Sequence, residues 1–113
     1  MLDDYAARIR DRTLFVAERG ALAGLLVLLP AADHLLLDNV AVAPHFQGQG
    51  VGRALLQFAD AEAIRRGFRE IRLYTHQRMT ENIAMYAALG WEESGRGEQD
   101  GFSRVFFRKT LKP

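Results

Sequence analysis

Residues 36–56 read LLDNVAVAPHFQGQGVGRALL: an apolar strand, a break at Pro44, a turn carrying glycines at 48, 50 and 52, and the first turns of a helix. Glycines at these positions let backbone N–H groups turn inward without Cβ clashes, and a helix that begins near Val51 aims its positive end into the same space. The stretch therefore reads as an anion cradle. Two phosphate loops fail against its spacing. A P-loop needs Gly-Lys-Ser/Thr where this chain has Gly52-Arg53-Ala54, which argues against nucleoside triphosphate hydrolysis. A G-x-G-x-x-G fingerprint counted from Gly48 or Gly50 needs glycine at 53 or 55, where Arg53 and Leu55 stand, so NAD and FAD are disfavoured.

Outward from this stretch, the chain alternates strands and helices with short connections and no internal repeat or linker. Residues 1–12 read as a frayed helix remnant. Residues 13–18 and 21–29 are apolar runs around Arg19-Gly20 and suggest an antiparallel hairpin. Residues 35–43 form the expected central strand. A first helix is expected over residues 50–66, with Val51, Ala54, Leu55, Phe58 and Ala61 on the face that covers the sheet and Gly67 as its stop. Residues 70–75 read as a strand, and residues 81–89 as a helix with Thr80 as N-cap and Gly90 as terminator. Residues 91–93 and 102–109 are the expected final strands, joined across a Gly- and Asp-containing loop. The pattern predicts one α/β domain over residues 1–113 with a mixed sheet.

Composition narrows the class. At 113 residues and 49% apolar content the chain is able to bury roughly two-thirds of its unfolded surface, enough for one core. A net charge of +1 with dispersed basic residues leaves no electrostatic footprint for nucleic acid or an anionic membrane. Small molecules or peptides are the expected partners. The absence of cysteine removes disulfides and thiolate chemistry, and agrees with a reducing, cytoplasmic setting. The apolar run at residues 21–29 is far shorter than the ~20 residues of a membrane helix. His34, His45 and His76 show no metal-ligand spacing, so no metal site is expected.

Two blocks carry a family resemblance. Gln47-Gly48-Gln49-Gly50-Val51-Gly52 matches Gln/Arg-x-x-Gly-x-Gly/Ala, and residues 79–91, MTENIAMYAALGW, resemble Asn-x-x-Ala-x-x-x-Tyr-x-x-x-Gly-Phe/Tyr, with the tyrosine one position early at Tyr86. In this order and at this separation they resemble the GNAT superfamily of acyl-CoA-dependent N-acyltransferases. The resemblance implies a mostly antiparallel twisted sheet with flanking helices and a central parallel strand pair, residues 35–43 and 70–75. The pair splays apart to admit the thioester arm of acetyl-CoA. It implies that backbone amides of Gln47, Gly48, Gln49, Gly50, Val51, Gly52 and Arg53 bind the coenzyme A pyrophosphate without metal. Backbone groups near Val40 meet the acyl carbonyl, those near Val42 pair with the pantetheine, and Asn82 contacts that arm or an ordered water. Arg53, Arg65, Arg66, Arg69 and Arg72 are candidates for the adenosine 3′-phosphate, Arg53 foremost.

The chemistry implied is direct N-acetyl transfer to a primary amine of a small molecule or peptide. There is no cysteine, and neither Ser94 nor Ser103 lies in Gly-x-Ser-x-Gly, so no covalent nucleophile is evident. Direct transfer needs a neutral amine, oxyanion stabilisation and a proton for the departing thiolate. A leaving thiol of pKa ~8.5 accepts a proton from a tyrosine near ~10 within hydrogen-bond reach. Tyr86, at the family tyrosine's place, is the expected acid; its bland alternative is a packing residue beside Ile83 and Ala87. Many relatives carry Glu where this chain has Tyr74, which leaves Asp38, His76, Glu81 or a water to deprotonate the amine. The same departure supports the alternative of a non-catalytic acyl-CoA-binding domain. The resemblance covers about residues 13–113, whereas the family normally carries another strand and two helices ahead of the first hairpin. On that pattern the chain is a short member that leaves Leu14, Val16, Leu26 and Leu28 poorly covered, and a homodimer that rebuilds the acceptor wall is expected.

Overall fold

The computed structural model describes residues 13–99 and 101–112. Its elements are β1 (Leu14–Glu18), β2 (Leu22–Pro30), β3 (Leu35–Val42), a 3-10 turn (Pro44–Phe46), α1 (Val51–Arg65), β4 (Glu70–His76), α2 (Thr80–Ala88), β5 (Glu92–Gln99) and β6 (Phe102–Thr110). The six strands form one sheet in the order β1-β2-β3-β4-β6-β5. Every neighbouring pair is antiparallel except β3 and β4. This is the expected mixed architecture, and the frayed helix expected over residues 1–12 lies outside the described residues.

The two faces of the sheet differ because strand side chains alternate. One face carries Leu26, Leu28, Leu35, Leu37, Ile71, Leu73, Val105 and Phe107, all buried in one cluster with Val51, Leu55, Leu56, Ala59 and Ala63 of α1 and Tyr86 of α2. Lys109, two residues beyond Phe107 on the same face, meets Asp60 of α1 at 2.6 Å. Both helices therefore cover this face. The opposite face carries Arg72, Tyr74, Phe106 and Arg108, with Arg72 opposite Arg108 and Tyr74 opposite Phe106 in the β4–β6 ladder.

Four expectations require correction. The buried stripe of α1 runs through Val51, Leu55, Leu56, Ala59 and Ala63, whereas Ala54, Phe58 and Ala61 are exposed. The helix is rotated because it sits down on Gly24 of β2, where an added Cβ would lie 3.0 Å from Leu55 Cδ1 and 3.2 Å from Val51 Cγ1. Phe58 instead stacks beside Phe15 of β1, with ring centroids 5.0 Å apart. Thr80 is the first residue of α2 and not its cap; Met79 holds the N-cap position without a side-chain hydrogen bond. Residues 94–99, expected as loop, continue β5, because its register with β6 runs on to Gln99 opposite Phe102. Finally, Leu14, Leu26 and Leu28 are buried within the single chain, at 5%, 0% and 0% exposure, so they supply no uncovered surface for self-association.

One irregularity positions everything that follows. In the β2–β3 ladder Val27 pairs with Asn39 and Leu28 with Leu37, which makes Asp38 the extra residue of a β-bulge. On its other side β3 pairs with β4 only through Leu35, Leu36 and Leu37. Beyond that rung β3 continues with β2 to Val42 while β4 continues with β6 to His76. A bulge bends its strand and increases the local twist. The central pair therefore opens into a V whose apex is at Leu37 and Leu73.

Candidate active site

The glycine turn closes the open end of this V. The 3-10 turn at Pro44–Phe46 ends β3, Gln49 Nε2 donates to the His45 carbonyl at 3.1 Å, and Gln47 Nε2 points back to the Val42 carbonyl at 3.5 Å. Gly48 and Gly50 adopt φ of +78° and +82°, the left-handed region where a side chain is strained, and Gly50 is the N-cap of α1. Ala54 N–H closes the first helical bond onto the Gly50 carbonyl at 3.0 Å. Among the backbone hydrogen bonds of the described turns and caps, none is donated by residues 48–53. Those of residues 50–53 are the four orphan donors of a helix start, at its positive end. A Cβ added at Gly48 or Gly50 would meet nothing within 4 Å, so the backbone there is bare to an incoming group. Val51 is 3% exposed and spends its side chain in the core, leaving only its amide to the turn. Arg53 is exposed beside it.

Arg65, Arg66 and Arg72 are engaged elsewhere. Arg65 and Arg66 are held by Glu62 at 2.7 and 2.8 Å. Hydrogen bonds from Arg65 and then Arg66 lower the Glu62 carboxyl to about 2 from 4.5, against the opposing effect of burial. Arg72 lies on the sheet face away from the helices, against Glu70 and 3.9 Å from Asp33.

Inside the V, the backbone of β3 turns groups away from β2, among them the Val42 carbonyl that the Gln47 side chain meets at 3.5 Å. Ala43 N–H donates to the Ala23 carbonyl at 2.8 Å, so odd-numbered peptide groups of this end of β3 face β2. By alternation the peptide groups of Val40 and Val42 face the opening. At the apex, the last β3–β4 rung, Leu37 with Leu73, is continued by Phe107 in β6. Tyr86 stands over that row, with its ring 5.5 Å from Phe107 and 6.1 Å from Trp91. Burial pushes the Tyr86 phenol above its ordinary 10.0. The residue is thus a packing member of the core and a neighbour of the apex at once. Asn82, one turn earlier, lines a recess of ≈ 250 Å³ with Arg78, Met79 and Thr80.

On the opposite face, the bulged Asp38 reaches across the V. Tyr74 O–H lies 3.4 Å from Asp38 Oδ1, and the Tyr74 ring is capped by the Arg104 guanidinium at 4.6 Å. His76 ends β4, and its Nδ1 accepts the Arg78 N–H at 3.0 Å. His34 Nδ1 is engaged with Asp33 at 2.7 Å. The feature that sequence reasoning missed is the bulge. Its signal is present: Leu35, Leu37, Val40 and Val42 keep an inward phase only if Asp38-Asn39 count as a one-residue slip.

The fold that carries this arrangement has counterparts among known proteins. The family model of the GNAT acetyltransferase domain matches residues 10–93. The [ribosomal protein bS18]-alanine N-acetyltransferase of Escherichia coli is 33% identical over 79 residues, covering 70% of this chain and 53% of its own. The chain thus spans about half the length of that relative. The crystal structure of the Escherichia coli ribosomal-protein-S18-alanine N-acetyltransferase superposes with a TM-score of 0.81 at 26% identity, covering 100% of this chain and 78% of that one. A GNAT family acetyltransferase from Elizabethkingia anophelis with acetyl-CoA bound shares the fold, with a TM-score of 0.76 at 20% identity over 96% of this chain and 85% of that one.

Proposed function

The chain belongs to the GNAT acetyltransferase family, and on that premise we propose that it moves the acetyl group of acetyl-CoA directly to a primary amine of a small molecule or peptide. The observation that carries this reading is the split at Leu37 and Leu73, with a bare glycine turn at its open end and Tyr86 at its apex. The donor set fits an anionic, linear cosubstrate: the amides of residues 48–53 supply hydrogen-bond donors for a pyrophosphate and Arg53 supplies a charge. Bound there, acetyl-CoA supplies an activated acetyl group as a thioester.

The residues divide the work. Val42 pairs its backbone with the pantetheine amide, Asn82 steadies the same arm, and the Val40 peptide group directs a hydrogen bond at the acyl carbonyl oxygen, where negative charge develops. Tyr86, kept protonated by burial, gives its proton to the departing sulfur. Asp38 receives the amine proton. The Asp38 carboxylate lies beside the Tyr74 hydroxyl, so β3 offers an acid group next to the position where the family pattern has Glu and this chain has Tyr74. This argues against the non-catalytic reading. His76 is the less suited base, since one ring nitrogen is already spent on Arg78.

A homodimer is also proposed. Its support is the apolar groove of ≈ 400 Å³ beside edge strand β1, where Phe15 and Phe58 meet. The cytoplasm is the proposed location, its reducing conditions being compatible with a cysteine-free sequence.

Calorimetry with acetyl-CoA, followed by a thiol-release screen over amines, amino acids and peptides, tests the function. Binding with turnover of an amine is expected; binding without turnover of any amine would leave a non-catalytic acyl-CoA-binding domain.

A further inference from the structure

On the sheet face away from the helices lies a cavity of ≈ 570 Å³ that the acyl-transfer chemistry does not use. Its floor is Leu36, Tyr74 and Phe106, and its ionisable lining is His34, Arg72, Tyr74 and Arg108, with no carboxylate among the lining residues. Asp33 and Glu70 stand outside it as the partners of His34 and Arg72. Arg72 and Arg108 are directly opposed across the β4–β6 ladder, an arrangement in which like charges repel. Arg108 is exposed and belongs to none of the described ion pairs, although the exposed Glu92 is its register partner on β5. A second bulge adds a hydroxyl. Glu93 pairs with Phe107 and Gly95 with Phe106, so Ser94 is the extra residue of β5, and it joins the lining.

We infer that this cavity binds a carboxylate carried by the acceptor, and that the preferred acceptor is a peptide N-terminus with an acidic side chain at its second residue. The inference rests on the acetyltransferase reading for the place of the amine, beside Asp38 and Tyr74 next to the apex of the V. Arg72 and Arg108 lie two residues along their strands from Tyr74 and Phe106, a step of about 7 Å. In a free amino acid the α-carboxyl carbon lies about 2.5 Å from the nitrogen and even a glutamate side-chain carboxyl only about 5 Å, short of that step. A side-chain carboxylate on the second residue of a peptide reaches it. Its charge would sit between two opposed guanidiniums, which relieves their repulsion and gains charge-assisted hydrogen bonds.

Two measurements test this. Matched peptides with Glu, Gln or Lys at the second position are compared as acceptors, beside free glutamate. The Glu peptide is expected to exceed the Gln peptide by about tenfold in kcat/KM, and the Arg108→Glu variant to prefer the Lys peptide with unchanged acetyl-CoA affinity. Free glutamate as the best acceptor would overturn the peptide assignment. Binding is read apart from turnover by following backbone amide shifts of Gly95 and Phe106 with N-acetyl-glutamate α-amide against N-acetyl-glutamine α-amide. Shifts with the first alone, lost in Arg108→Glu, support the cavity even if no amine is acetylated, in which case the acetyltransferase reading fails and the anion site stands. Equal shifts with both probes, or none with either, overturn the inference even if the enzyme is active.

Discussion

The two faces of this sheet are built for different purposes. The face under α1 and α2 is apolar from Leu26 to Phe107 and is packed into one buried cluster with both helices. The opposite face keeps Asp38, Tyr74, Arg72 and Arg108 within reach of solvent, and the V is where the two communicate. On the proposed function, a donor bound on one side and an acceptor arriving on the other need no cleft between domains. A single bulge at Asp38, which ends the β3–β4 ladder after three rungs, is enough to open the route.

The most severe way to break this division is at its apex. Tyr86→Phe keeps the ring packed on Phe107 and Trp91 and removes only the proton donor, so kcat should fall by about 10²–10⁴-fold with acetyl-CoA affinity nearly intact. Since burial raises this phenol above 10.0, the wild-type kcat should show no alkaline loss attributable to it below pH 10. Full activity of the Phe variant across pH would remove Tyr86 from the chemistry.

On the acceptor face, Asp38→Asn should lower kcat/KM by about 100-fold, whereas His76→Gln should change it less than about threefold. The reverse order would move the base to the end of β4.

At the donor entrance, Gly50→Glu puts negative charge and a side chain on a left-handed residue facing open space. A loss of about 2 kcal/mol, roughly 30-fold in the calorimetric dissociation constant for acetyl-CoA, is expected in a variant shown folded by circular dichroism.

The smallest effect lies away from both faces' chemistry. Glu62, whose carboxyl sits at about 2 when folded and 4.5 as its ordinary value, stabilises the fold above the unfolded value, and that contribution fades as pH falls from about 4.5 towards 2. Glu62→Gln should cost about 2 kcal/mol at pH 7 in urea unfolding and remove that part of the acid dependence, without altering kcat.

Much of this division is legible before folding is considered. The strand–glycine turn–helix order at residues 36–56 and the Asn82 to Trp91 block point to the proposed donor side because their signals are local: backbone freedom at Gly48 and Gly50, and a tyrosine at helical spacing. The acceptor side is not local. Arg72 and Arg108 become neighbours only through strand register, and Ser94 joins them only because β5 bulges, in a stretch whose glycines and charges read as loop. The face of α1 was misassigned for a related reason. Phe58 and Ala54 satisfy helical periodicity as well as Leu56 and Ala59 do, and the choice is made by the close seat on Gly24 in a different strand.

The central claim is that donor groups of the glycine turn and of the unpaired end of β3 hold one ligand together. Mapping backbone amide shifts across the chain during an acetyl-CoA titration tests it directly. The account predicts the largest shifts at residues 48–53 together with Val40 and Val42. Shifts confined to the opposite face, around Arg72, Ser94 and Arg108, or absent at saturating acetyl-CoA, would contradict it.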